Sequence, residues 1–85
     1  MDAHEIARRG RALPDQFATR LPAPTLASLR LMAEGGEYGE LAIELTATLV
    51  KTQAIVNPEE QQELRILLDA TGLPTHLVDQ LAVRD

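Results

Sequence analysis

Apolar positions recur along the chain at intervals of three and four residues, and polar or breaking residues separate them into segments. That interval is the period of an amphipathic helix, and nowhere does it give way to the alternation of a half-buried strand between hairpin turns. The first segment runs from about Asp2 to Leu13, with Ile6, Arg9 and Leu13 on one side and Gly10 weakening its middle. Pro14-Asp15 is expected to restart the chain as a short helical stretch ending near Arg20. Leu21-Pro22-Ala23-Pro24 then breaks it, because proline disfavours helix at the residue before it.

Pro24 suits the first turn of a second helix, in which Leu26, Leu29 and Ala33 line one side and Leu31 points elsewhere. Arg30 and Glu34, four apart on the polar side, are spaced to pair, and Gly35-Gly36 supplies the stop. The longest helix is predicted from about Glu37 to Gln53. Tyr38, Leu41, Ala42, Leu45 and Leu49 make one stripe; Ile43, Ala47, Val50 and Ala54 make a second. Two stripes predict a central helix packed on both sides, or one face kept for a partner. Glu37, Glu40, Glu44, Thr48 and Lys51 form the polar strip that remains.

Asn57-Pro58-Glu59-Glu60 is a helix start: a capping side chain, a proline at the first helical position and two carboxylates near the positive helix end. Leu64, Leu67, Leu68 and Thr71 form its inward face, and Gly72 and Pro74 stop it. Thr75 is read as the cap of a last short helix burying Leu77, Val78, Leu81 and Ala82. The fold class expected is all-α: a single domain over residues 1–85, a small compact antiparallel bundle of about four to five helices. Leu45, Leu49, Leu64 and Leu68 are its central core candidates.

Composition narrows the function classes. Among 85 residues, 45% are apolar and 25% charged, the balance of a small globular domain. The absence of Cys excludes a disulfide framework and thiolate metal sites. No apolar run approaches the ~20 residues of a membrane span, and the acidic start Met1-Asp2-Ala3-His4-Glu5 does not resemble a signal peptide. A cytoplasmic product is therefore expected. Net charge is −5, but residues 1–33 net +2 and residues 34–85 net −7. That sign repels a phosphate backbone and attracts a basic protein, although it also serves solubility alone.

Reactive constellations are missing from the sequence. His4 and His76 lie at opposite ends of the chain, and neither has a second His at helical spacing. Gly35, Gly36 and Gly39 follow no strand and meet no Lys-Ser or Lys-Thr pair, so they read as a helix stop and a close-packing position. Glu59, Glu60 and Glu63 lack the alternating oxygen ligands of a calcium loop. Neither enzyme activity nor a cofactor nor a metal is expected. Thr71-Gly72-Leu73 resembles the turn of a helix-turn-helix, yet the segment after it carries Asp79 and only Arg84 as a cation.

The stretch Leu29-Arg30-Leu31-Met32-Ala33-Glu34-Gly35-Gly36-Glu37-Tyr38-Gly39-Glu40-Leu41-Ala42 resembles the helix, Gly-Glu-Trp, helix signature of small bacterial immunity proteins of the MafI-like type. The motif here is Gly36-Glu37-Tyr38, with Tyr where that family more often has Trp. The Asn57-Pro58-Glu59-Glu60 start and the Gly72-Leu73-Pro74 stop fit the same layout, so the likeness spans roughly residues 21–75. Such proteins are cytoplasmic antidotes to polymorphic or contact-dependent toxins of bacterial competition, many of them nucleases. The resemblance implies a toxin inhibitor that protects the producing cell and its kin by protein–protein interaction. A basic cognate toxin domain is then the partner, with no direct nucleic-acid or membrane binding, and the chain is a monomer or weak homodimer.

Candidate partner-binding residues are Glu37, Glu40 and Glu44, at spacings of three and four on one helix face. The same spacing describes a solvated face. Tyr38 reads either as an interface anchor or as part of the core stripe. Glu59, Glu60 and Glu63 form a second acidic patch, equally well explained by the helix start. Two other classes stay open: a helical adaptor or homodimer joined through Ile43, Ala47 and Val50, and an antitoxin-type DNA-binding regulator.

Overall fold

Three of the four α-helices end in the same way, and those endings set the short connections of the bundle. The computed structural model describes all residues, Met1–Asp85. Its helices are α1 (Ala3–Gln16), α2 (Ala23–Glu34), α3 (Tyr38–Lys51) and α4 (Pro58–Ala70). After α2 the Glu37 N–H donates to the Met32 carbonyl and the Gly36 N–H to that of Ala33. After α4 the Leu73 and Gly72 N–H groups reach Leu68 and Asp69 in the same pattern. Both are Schellman motifs, in which the residue past the cap takes a left-handed conformation. Gly36 and Gly72 occupy that position with φ of 74° and 76°.

The third such ending, after α3, places Gln53 there at φ 57°, with Gln53 bonded to Val50 and Ala54 to Leu49. A side chain in the left-handed region costs about 1 kcal/mol or more. Gln53→Gly is therefore expected to raise unfolding stability by about 0.5–1 kcal/mol after the entropy cost of glycine is subtracted. A denaturation midpoint at or below that of the parent would contradict this.

The fold is all-α, as the spacing predicts, with α3 at its centre: it packs against α1, α2, α4 and the turn that follows α4. Leu41, Ala42, Leu45 and Leu49 of α3 are fully buried, with Leu64, Leu67 and Leu68 of α4, Leu29 of α2 and Leu13 of α1. The four central core candidates are thus all inside. Of the second stripe, Ile43, Val50 and Ala54 are half-buried against the same core. The two-sided pattern marks a central helix. Thr46, buried on α3, donates its hydroxyl to the Ala42 carbonyl at 2.7 Å, so burial leaves it satisfied.

Four local expectations change. Pro14 does not interrupt α1, which continues to Gln16. Two residues before the helix end, it forfeits one hydrogen bond and buries its ring in exchange. The stretch up to Arg20 is a 3-10 turn, Ala18–Arg20. The longest predicted helix is cut at both ends to 14 residues, because Glu37 is an N-cap and Thr52 a C-cap. The last helix is a 3-10 turn, His76–Gln80, without a side-chain bond from Thr75; Val78 and Leu81 are buried, but Ala82 is exposed.

Ala82 and Val83 instead form a two-residue parallel ladder with Ile55 and Val56. The Arg84 N–H extends it to the Val56 carbonyl at 2.9 Å. The ladder ties the end of the chain to the connection between α3 and α4. No recognition helix follows Gly72, which removes the structural basis of a helix-turn-helix. No helix is long and apolar enough to cross a membrane.

Two glycines allow close approach. A Cβ on Gly10 would lie 2.5 Å from Cδ1 of Tyr38, so α1 and α3 meet where no larger residue fits. A Cβ on Gly39 would lie 3.0 Å from a Leu73 methyl and 3.1 Å from Thr71. The first glycine weakens its helix locally and in return lets the Tyr38 ring pack against α1.

Candidate functional site

The Schellman turn after α2 places Glu37 at the N-cap of α3, where its side chain makes no capping hydrogen bond and its carboxylate lies 3.7 Å from where a Cβ of Gly35 would stand. Glu40 and Glu44 follow one and two turns on, both exposed. Glu34, the last residue of α2, reaches the same end of the helical hairpin. Six ion pairs occur in the structure, and Glu34, Glu37, Glu40 and Glu44 take part in none of them. Nor do their side chains accept any intramolecular hydrogen bond. Glu44 also lines an open cleft of about 310 Å³ with Pro22, the N-cap of α2, Thr25 of α2, and Thr48 and Lys51 of α3. The strip therefore runs beside α2 rather than on an isolated face.

Arg30 accounts for the freedom of Glu34. Its guanidinium bonds to Asp15 of α1 at 3.0 Å rather than to Glu34. The i, i+4 pairing read from the sequence is replaced by a contact between helices. Those two residues border a second open cleft, about 300 Å³, together with Arg11 and Glu34. Its charges are mixed and partly neutralise one another.

Three of the remaining candidates, Tyr38, Glu60 and Glu63, are engaged within the chain. Tyr38 is half-buried over Gly10, with the Arg11 guanidinium 5.9 Å from its ring centre, so it belongs to the contact between α1 and α3. Glu63 is half-buried and pairs with Arg9 at 3.3 Å. Glu60 is a correction in kind: its side chain is only 10% exposed and pairs with Arg20. The two guanidinium nitrogens meet its two oxygens at 2.8 and 2.6 Å. Glu60 also completes a capping box, accepting from the Asn57 N–H at 2.9 Å while Asn57 Oδ1 accepts from the Glu60 N–H at 2.7 Å.

Hydrogen bonds from Arg20 hold the Glu60 carboxyl at a pKa of about 2; burial opposes them, and the Asn57 N–H and the Arg20 charge assist. Glu59 is exposed and unpaired, but it starts α4, beyond the far end of α3 from Glu37. Sequence reasoning thus grouped Glu59, Glu60 and Glu63 as one patch, and the fold divides them into one surface carboxylate and two structural ones.

Sequence reasoning also missed Leu31 and Glu34 as members of the exposed face. Leu31 is the most exposed large hydrophobic residue, at 68%. Its departure from the Leu26, Leu29, Ala33 stripe was the available signal. His4 and His76 are both exposed and lie on α1 and on the turn after α4. What the arrangement offers chemically is a surface of unpaired negative charge on rigid elements. No family pattern, curated protein or solved structure matches the chain.

Proposed function

We propose that this chain is an immunity protein that binds and neutralises a cognate polymorphic toxin, a nuclease with a basic surface, in the cytoplasm of the producing cell. The observation that carries the reading is the run of Glu34, Glu37, Glu40 and Glu44, four exposed carboxylates without an intramolecular partner. Carboxylates on a rigid helix face carry the sign of the phosphates that a nuclease surface holds, and such charge complementarity speeds encounter and sets register. The Gly36-Glu37-Tyr38 motif of the resemblance coincides with the turn that presents this strip, since Gly36 supplies the left-handed residue and Glu37 the first carboxylate of α3. Of the row Ile43, Ala47 and Val50 that a homodimer would use, Ile43 and Val50 are half-buried against the core, which favours the immunity reading over that alternative.

The test is co-expression of tagged protein with the toxin domain encoded beside it, followed by affinity capture and sizing. A one-to-one complex, together with survival of cells that the toxin alone kills, is the expected result. Recovery of this chain alone, eluting as a dimer, while the toxin remains lethal would overturn the reading.

A further inference from the structure

Outside the helices and Phe17 at the cap of α1, the buried core takes only Val56, Val78 and Leu81. Two of these belong to residues 74–85, the segment that follows α4 and its cap. The hydrogen bonding of α4 closes at Leu73, whose N–H reaches Leu68, and Pro74 has no N–H to carry it on. No backbone N–H between Leu73 and Val78 bonds back to α4. Leu73 itself stays with the helices, because its methyl packs against Gly39 of α3. Beyond it, the attachments gather in a short stretch. Gln61 Nε2 donates to the Val78 carbonyl at 3.1 Å, and Arg65, one turn further along α4, donates to the Asp79 carboxylate at 2.7 Å. The ladder to Ile55 and Val56 follows, with the Arg84 N–H on the Val56 carbonyl. Arg20 independently holds the connection that carries Val56, through the Ile55 carbonyl and Glu60.

We propose that residues 74–85 are a strap that opens as one unit about the Leu73–Pro74 junction while the four helices stay folded, uncovering Val56 and freeing its carbonyl. Val78 and Leu81 are the only buried residues of the strap; Thr75 and Leu77 are half-buried and the rest are exposed. Its turn is a 3-10 helix, in which hydrogen bonds are poorer than in an α-helix, and the Leu81 N–H lies 3.3 Å from the Val78 carbonyl. Lifting Val78 out of the core breaks the Gln61 bond and draws Asp79 and Leu81 away with it, so the attachments release together. The helices keep Leu29, Leu41, Leu45, Leu64, Leu67 and Leu68 buried among themselves. Few buried apolar side chains and exposed hydrogen bonds are what mark the part of a fold that opens below global unfolding. Arg20 keeps the Val56 segment in place when the strap leaves, so a backbone acceptor covered in the closed form becomes available only in the open one.

The test is amide hydrogen exchange of the full chain, read residue by residue by NMR at several low denaturant concentrations. The Val78, Leu81 and Arg84 amides are expected to share one protection factor, about 10- to 100-fold below those of Leu45 and Leu67, with a weaker dependence on denaturant. Leu73, close by in sequence, is expected to exchange with α4 instead. Ile55→Cys with Ala82→Cys places a cysteine pair at ladder partners that are both exposed, in a chain with no other cysteine. Its oxidation should raise all three strap protection factors toward those of the helices, and reduction should restore them. Strap amides that exchange at the same rate as Leu45 and Leu67 in the parent would overturn the proposal, because the segment would then leave only with the whole fold. Protection that declines step by step from Val78 to Arg84 would overturn opening as one unit. Strap protection unchanged by the oxidised pair would assign the exchange to local fluctuation and overturn it as well.

Discussion

Arg20→Ala is expected to lower unfolding stability by about 3 kcal/mol, the largest loss from any single polar side chain in this fold. Four contacts go together. The guanidinium pairs through both nitrogens with Glu60 and donates to the backbone carbonyls of Ile55 and Gln16, at 3.0 and 3.3 Å. It also lies 4.5 Å from the ring centre of Phe17, which is fully buried. One residue thereby joins the end of α1, the ladder segment and the first turn of α4. Its loss leaves Glu60 largely buried and without its cation, which is why the expected cost exceeds that of a surface pair. The 29% exposure of the Arg20 side chain keeps the figure at the lower end of the range for buried pairs. For a domain of this size the melting temperature should fall by on the order of 15 °C. Arg20→Lys, which keeps the charge but not the planar fork, should fall between the two.

The same contact predicts how stability depends on pH. The Glu60 pKa drops on folding from 4.5 to about 2. A carboxyl whose pKa is depressed by folding stabilises the folded state fully above its unfolded value, and that contribution disappears as pH falls through the folded value. The parent should therefore lose about 2–3 kcal/mol between pH 4.5 and pH 2 through this group alone. Arg20→Ala removes the first cause of the depression, so its acid limb in that window should be shallower. Equal acid limbs in parent and variant would show that Glu60 does not drive the acid sensitivity.

What the sequence could and could not reveal follows from the range of each interaction. Helix period, the Asn57 cap and the Gly36 and Gly72 stops are local, and they predict α2, α3 and α4 to within a few residues. Pro14 also acts locally, but its effect depends on distance from the helix end, which packing of the ring decides. The Arg20–Glu60 contact joins residues 40 apart in sequence and leaves no periodic trace. Glu60 therefore read as one more carboxylate beside Glu59. The Ala82–Val83 ladder was equally invisible, since two residues are too few to show alternation. On the candidate surface, Glu37, Glu40 and Glu44 were legible because helical spacing alone puts them together. Glu34 was not, because its freedom depends on Arg30 choosing Asp15 on another helix.

That surface gives the second large effect. On the proposed immunity role, Glu40→Lys combined with Glu44→Lys is expected to weaken binding of the toxin domain by about two orders of magnitude or more while leaving the protein folded. Both side chains are exposed, and neither takes part in an ion pair within the chain. Reversal therefore takes no contact from the bundle, and its effect on stability should stay within about 0.5 kcal/mol. At a basic partner each reversal replaces an attraction with a repulsion, and close charge pairs across an interface couple by about 1.5–7 kcal/mol. The loss should be steepest at low ionic strength and should appear in both association and dissociation. Glu59→Lys is the matched control: it changes net charge by the same amount per residue, but it sits at the start of α4 rather than on the strip. If Glu59→Lys weakened binding per charge as much as the strip variants, long-range attraction to the whole acidic chain would explain binding. Retention of parental affinity by the Glu40, Glu44 double variant in a folded protein would remove this face of α3 from the interface.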